Sequence, residues 1–153
     1  SAASDVYKRQ EIGSTVIYSR LIEGEFVKYN HILPSAFENV VTVNKDALLS
    51  SIERAAIVAR NDRFNVVKFE IKENVINISA KSEIGNVNEN VNINLSGKDM
   101  TIAFNGKYIT DYLKIAGVEF ININLNSPID PCVITPVGKE DFLYLVLPVR
   151  ING

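Results

Sequence analysis

The order of strand-like and helix-like segments in this chain is written twice, and that restricts its fold more than any other feature. Residues 40–43 have strand composition, residues 45–59 have helical spacing, and residues 66–71, 75–80 and 87–95 alternate as strands between polar turns. Residues 100–104, 107–116, 118–125, 132–137 and 142–147 then repeat the same order of strand, helix and three strands. The stretch from Val43 to Ala55 overlies Phe104 to Ala116 without a gap, which superimposes Asn44 on Asn105. Both asparagines are N-cap candidates, because a short side-chain oxygen can accept a first-turn amide that the helix leaves unpaired. A duplicated unit of this kind predicts an α+β domain of pseudo-twofold symmetry, with two helices packed on antiparallel strands from both halves.

Each helix carries an apolar stripe. Leu48, Ile52, Ala55, Ala56 and Ala59 share one face of the first, and Tyr108, Ile109, Tyr112, Leu113 and Ala116 share one face of the second. Ile57 and Val58 close the first helix, and at least one of them must leave that stripe. The outer faces carry Asp46, Ser50, Glu53 and Arg54 on one helix and Lys107, Asp111 and Lys114 on the other. Mixed charge on a helix ordinarily marks a solvated surface. The chain has 153 residues, enough for one ordinary domain. Its net charge of -2 gives no global sign of nucleic-acid binding, although an average is blind to charge gathered on one surface.

Catalysis finds no support in the residues. A single cysteine cannot form an internal disulfide, and with a single histidine no zinc-site spacing exists. Cys132 reads as a buried structural thiol, and neither a Gly-rich phosphate loop nor a nucleophile motif is present. The expectation is a protein without catalytic residues, metal or cofactor. A reducing, cytoplasmic setting follows most simply, and no apolar run approaches the ~20 residues that span a bilayer, so no membrane partner is expected.

The chain closes on a hairpin signal, two apolar runs flanking Gly138, Lys139, Glu140 and Asp141. Phe142, Tyr144 and Val146 alternate with Leu143, Leu145 and Leu147, so the last strand is apolar on both faces. Pro148 interrupts ladder pairing where Val149, Arg150 and Ile151 emerge, which leaves an apolar and cationic tail near the surface. At the other end, residues 1–10 are polar and without apolar periodicity, and are set apart as a non-native or disordered leader. Residues 15–22 have strand composition and read as half of a hairpin whose other strands are absent.

Three segments carry a family resemblance. The run Tyr144-Leu145-Val146-Leu147-Pro148-Val149-Arg150 resembles the closing segment of the bacterial DNA polymerase III beta-subunit family, the replicative sliding clamps. Ser19 to Tyr29, followed by Ile32, Leu33 and Pro34, is similar to that family's Ser-Arg-Leu-Ile-Glu-Gly-x-Phe-Pro-x-Tyr segment, and Arg54-Ala55-Ala56-Ile57-Val58 matches between them. The resemblance implies the DNA clamp fold, with residues 11–28 a remnant of the middle domain and residues 29–153 the third domain. It also implies a processivity factor without enzymatic activity that encircles double-stranded DNA non-specifically. Such a factor assembles as a homodimeric ring, and DNA polymerase III and clamp-loader subunits bind it through short peptide motifs. The rival reading is a stand-alone α+β interaction module whose duplication is structural.

Carried over by position, the resemblance implies a partner-peptide site at Val27, His31, Ile32, Phe64, Asn105, Tyr108, Ile129, Pro131, Leu145, Val146, Leu147, Pro148, Val149 and Arg150. An apolar slot with one aromatic, one amide and one guanidinium group suits a short linear motif. Ordinary core packing is the competing reading for Ile129, Val146 and Leu147, and for Tyr108. Val27 stands where the family often has Pro, and His31 where it often has Arg. The resemblance further implies a subunit interface at Ile57, Val58, Glu83 and Glu89, and DNA-facing cations at Arg54, Lys107 and Lys114.

Overall fold

The computed structural model describes residues 7–12, 15–20, 34, 36–60, 65–139 and 142–151. Strand β1 (Tyr7–Ile12) and β2 (Thr15–Arg20) precede a first unit of β3 (Asn39–Asn44), helix α1 (Lys45–Ala59), β4 (Val66–Lys72), β5 (Val75–Ser82) and β6 (Gly85–Ser96). A second unit of β7 (Met100–Asn105), helix α2 (Gly106–Ile115), β8 (Phe120–Leu125), β9 (Cys132–Pro136) and β10 (Phe142–Val146) follows. Strand, helix and three strands therefore do occur twice, in an α+β fold.

The duplication also fixes the pairing. The ten strands form one sheet in the order β1-β2-β10-β9-β8-β3-β6-β5-β4-β7. The first strand of each unit pairs antiparallel with the second strand of the other: β3 with β8, where Asn44 faces Phe120, and β7 with β4, where Asn105 faces Val66. Asn44 and Asn105 thus occupy equivalent registers, as their superposition in sequence requires. One relation departs from symmetry. β3 pairs with β6 over four residue pairs, Val40–Ser96 to Val43–Ile93, whereas β7 meets the segment after β10 at a single bridge, Ala103–Val149.

Both caps form. The Asn44 side-chain oxygen accepts from the Ala47 amide at 2.9 Å, and that of Asn105 accepts from the Lys107 amide at 3.0 Å. The helices lie antiparallel enough that the Lys45 ammonium reaches the Ala116 carbonyl at 2.9 Å, so the start of α1 supplies a donor at the end of α2. Leu48, Ile52, Ile109 and Leu113 are fully buried against Phe69, Ile71, Ile76, Ile78, Ile121 and Ile123 of the strands. Each such side chain stabilises the fold by about 1.5–3 kcal/mol. Ser51 joins the buried face of α1 while Ala56 is only half-buried, a rotation of a few tens of degrees from the expected stripe.

Two expectations are corrected here. Tyr7–Ile12 forms a strand that pairs antiparallel with β2, Tyr7 facing Arg20 and Gln10 facing Ile17, so the hairpin strand at residues 15–20 finds within this chain the partner that the sequence reading treats as absent. The polar sequence of residues 7–12 suits the outermost strand, whose other edge is unpaired among the described residues. The strand expected from residue 118 starts at Phe120, and just before it the Glu119 carbonyl accepts from the Lys45 amide at 2.9 Å.

Gly106 opens α2 with its amide donated to the Asn65 carbonyl at 3.1 Å, tying the helix start to β4. A β-carbon there would stand 2.8 Å from Cγ2 of Val67, itself buried. Gly106→Ala is therefore expected to destabilise by about 1–3 kcal/mol despite alanine's better helix propensity. Urea unfolding checks this, and a gain in stability would show that Val67 yields without strain.

Candidate functional site

The tail after β10 is where the second half fails to copy the first. β9 and β10 pair with Cys132 facing Val146, so the ladder carries Pro131 and Leu147 out of the sheet side by side. The tail then crosses to the far edge, where the Val149 amide donates to the Ala103 carbonyl at 2.8 Å. Pro148, which has no amide hydrogen, sits between the two ladders and marks the break. Running back along this antiparallel bridge, Leu147 approaches the level of Asn105, the cap of α2. The end of the sheet therefore gathers Pro131, Leu147, Pro148, Val149 and Asn105 about one surface.

The exposures sort the residues by what they can touch. Leu147 is 43% exposed and Ile129, in the turn before β9, is 61% exposed, while Pro131, Pro148 and Val149 are half-buried and Arg150 is exposed. Leu145 and Val146 are core, each 5% exposed, as the packing reading of Val146 anticipated. Tyr108 is 9% exposed, near the limit of burial. Beneath them Tyr144 stacks on Tyr112 with ring centroids 5.0 Å apart, fastening β10 to α2. Val27, His31, Ile32 and Phe64 lie outside the described residues.

The residues assigned to assembly and to DNA fall less cleanly. Ile57 is 55% exposed at the end of α1, whereas Val58 turns inward and packs against the core. Glu83 is exposed in the turn that joins β5 to β6. β6 pairs with β5 over Gly85–Asn92 and with β3 only beyond Asn92, so the second edge of its first eight residues is unpaired among the described residues. Arg54 and Glu89, which the sequence places on separate surfaces, meet each other. The guanidinium donates to both carboxylate oxygens at 2.6–2.9 Å, so Arg54 lies on the flank of α1 toward β6. Lys114, exposed on α2, has its ammonium 3.9 Å from Glu53 of α1, a solvated pair of small energetic weight. Lys107 is exposed in the first turn of α2.

Hydrogen bonding from Arg54 holds the Glu89 carboxyl below the ordinary carboxylate range and raises Arg54 in turn. A depressed carboxylate stabilises the fold above its unfolded pKa, and that contribution disappears as pH falls through the folded value, below the ordinary 4.5. The Glu89 side-chain carbon shift, followed against pH, is expected to titrate low in the native chain and in the ordinary range in Arg54→Met. Equal midpoints in the two proteins would show that the pair does not form in solution.

Burial pushes the Cys132 thiol far above its usual pKa, and its side chain has no access to solvent. Among the described residues no cluster of three acidic, histidine or cysteine side chains could hold a metal ion. No helix among them is long and apolar enough to cross a membrane.

Known proteins share this fold. The family of the DNA polymerase III beta subunit, C-terminal domain, matches residues 30–150. The chain belongs to that family. It is 31% identical over 143 residues to a beta sliding clamp of Synechocystis, covering 92% of this chain and 37% of the relative. A beta sliding clamp of Streptococcus pneumoniae is 36% identical over 138 residues, covering 88% of this chain and 36% of the relative. The crystal structure of the DNA polymerase III beta subunit of Thermotoga maritima superimposes with a TM-score of 0.79 at 36% identity, over 87% of this chain and 36% of that one. The chain thus spans little more than a third of the length of these relatives, and its duplicated α+β architecture is the one their shared segment adopts.

Proposed function

We propose that the chain is the carboxy-terminal part of a replicative sliding clamp, in which residues 11–28 end the middle domain and residues 29–153 form the third. The whole protein would be a non-enzymatic, cytoplasmic processivity factor. It would encircle duplex DNA as a homodimeric ring and hold DNA polymerase III and clamp-loader subunits by short peptides. The observation that carries the reading is the Val149–Ala103 bridge, which folds an apolar tail back beside the Asn105 cap and leaves Leu147 half in solvent. An exposed apolar side chain flanked by an amide and a guanidinium anchors and orients a short motif.

The other surfaces fit the same assembly. Exposed Ile57 lies on the helix that borders the unpaired edge of β6, a combination suited to a second subunit continuing the sheet. There Glu83 remains exposed for a basic partner, while Glu89 is already engaged by Arg54. Lys107 and Lys114 on α2 supply sparse positive charge for phosphate contact without sequence preference.

Fluorescence anisotropy with a labelled Gln-Leu-x-Leu-Phe peptide tests the site directly. The chain is expected to bind saturably, and Leu147→Asp to weaken binding about tenfold. Absence of binding by this chain, with binding once the middle domain is restored, would make the pocket a property of two domains. Absence in both would favour the stand-alone interaction module.

A further inference from the structure

Asn105 is the only asparagine among the described residues that a glycine follows. We propose that the Asn105-Gly106 peptide is a latent site of spontaneous deamidation, which the folded start of α2 keeps unreactive and which reacts when that start opens. Two structural demands bring the pair together. The cap needs a short side-chain oxygen at position 105, and the close approach of Val67 admits no β-carbon at position 106. The first half has the same cap without the second demand, since Asn44 is followed by Lys45. A side chain there crowds the main-chain nitrogen, whereas nothing beyond Cα crowds that of Gly106.

In an open chain the Gly106 nitrogen attacks the side-chain carbonyl carbon of Asn105 and gives up its proton to water or hydroxide. A new C–N bond closes a five-membered imide as the side-chain nitrogen leaves as ammonia. Water then opens the ring. Cleavage at the former side-chain carbonyl yields aspartate, and cleavage at the main-chain carbonyl yields isoaspartate, whose backbone is longer by one methylene. The fold opposes the first step in three ways. A ψ of 113° at Asn105 turns the Gly106 nitrogen away from Cβ, and so from the carbon it would attack. The hydrogen it would lose is held by the Asn65 carbonyl at 3.1 Å, and the Asn105 side-chain oxygen is held by the Lys107 amide at 3.0 Å. Reaction therefore waits for an opening of the first turn of α2. The aspartate product can still cap the helix, with its charge at the positive end of the dipole, whereas isoaspartate displaces Gly106 from Asn65.

Trypsin releases residues 99–107 as a peptide in which Asn105 is the only asparagine, so mass spectrometry of that peptide follows the reaction. The chain is incubated at mildly alkaline pH with and without guanidinium chloride, and the aspartate and isoaspartate forms are separated by chromatography. Conversion is expected to be at least about tenfold faster in denaturant, because a turn that is open a tenth of the time or less reacts in proportion. Gly106→Ala, unfolded in the same denaturant, should convert several-fold more slowly than the native sequence. Equal rates with and without denaturant would overturn protection by the fold. An unconverted peptide in denaturant would overturn the site, and equal rates for the glycine and alanine sequences there would overturn attack by the Gly106 nitrogen.

Discussion

Phe104→Ala is expected to lower the free energy of unfolding by about 3–5 kcal/mol. The Phe104 side chain is completely buried in β7, and its ring lies 5.3 Å from that of Phe69 at 60°, the tilted geometry aromatic pairs prefer. Truncation removes the transfer energy of the ring, breaks the aromatic pair and leaves a void in the core beside Phe69, where β4 and β7 are pinned to each other by their ladder. Phe104 also precedes the cap Asn105 and follows Ala103, the acceptor for the tail, so a shift of β7 into the void would move both. Urea unfolding measures the loss, with Phe104→Leu expected at about 1–1.5 kcal/mol because volume is largely kept. A change below about 1 kcal/mol for alanine would show that the sheet collapses onto the void and that packing here does not position the site.

The same neighbourhood shows how far the residues alone could be read. Asn44 and Asn105 disclosed both caps, because capping is a local contract between a side chain and an amide two or three positions ahead. The alternation of Tyr144 and Val146 against Leu145 gave a strand buried on both faces for the same local reason. The repeat supplied more, since superimposing Asn44 on Asn105 fixes equivalent registers in β3–β8 and β7–β4. What stayed hidden depends on chain positions far apart. Pro148 ends one ladder, but nothing near it in sequence says that Val149 will resume pairing with Ala103. Arg54 and Glu89 lie 35 positions apart, and only the packing of α1 over β6 brings them into contact. The partner of residues 15–20 stayed hidden because the polar run at residues 7–12 shows no apolar periodicity, and only the pairing reveals it as a strand. Family likeness supplied the peptide site as a list of positions; the fold divides them into core, such as Leu145 and Val146, and surface, such as Leu147 and Ile129.

Val149→Pro is expected to separate the tail from the domain and to weaken peptide binding roughly a hundredfold. Proline has no amide hydrogen, so the 2.8 Å bond to the Ala103 carbonyl cannot form, and that buried acceptor is left unpaired at about 1–3 kcal/mol. A second proline after Pro148 also confines Pro148 to extended backbone, which blocks a compensating turn. Leu147, Val149 and Arg150 then leave the groove together, and at about 1 kcal/mol each their loss amounts to about two decades of affinity. Val149→Ala keeps the amide and deletes only part of a half-buried side chain, so it should bind within a few-fold of the native chain. Anisotropy of the labelled peptide against both variants, with urea unfolding in parallel, tests the two consequences of one lost hydrogen bond. Equal affinities for the proline and alanine variants would show that the bridge does not hold the groove open, and the tail would then have to be ordered by the peptide itself.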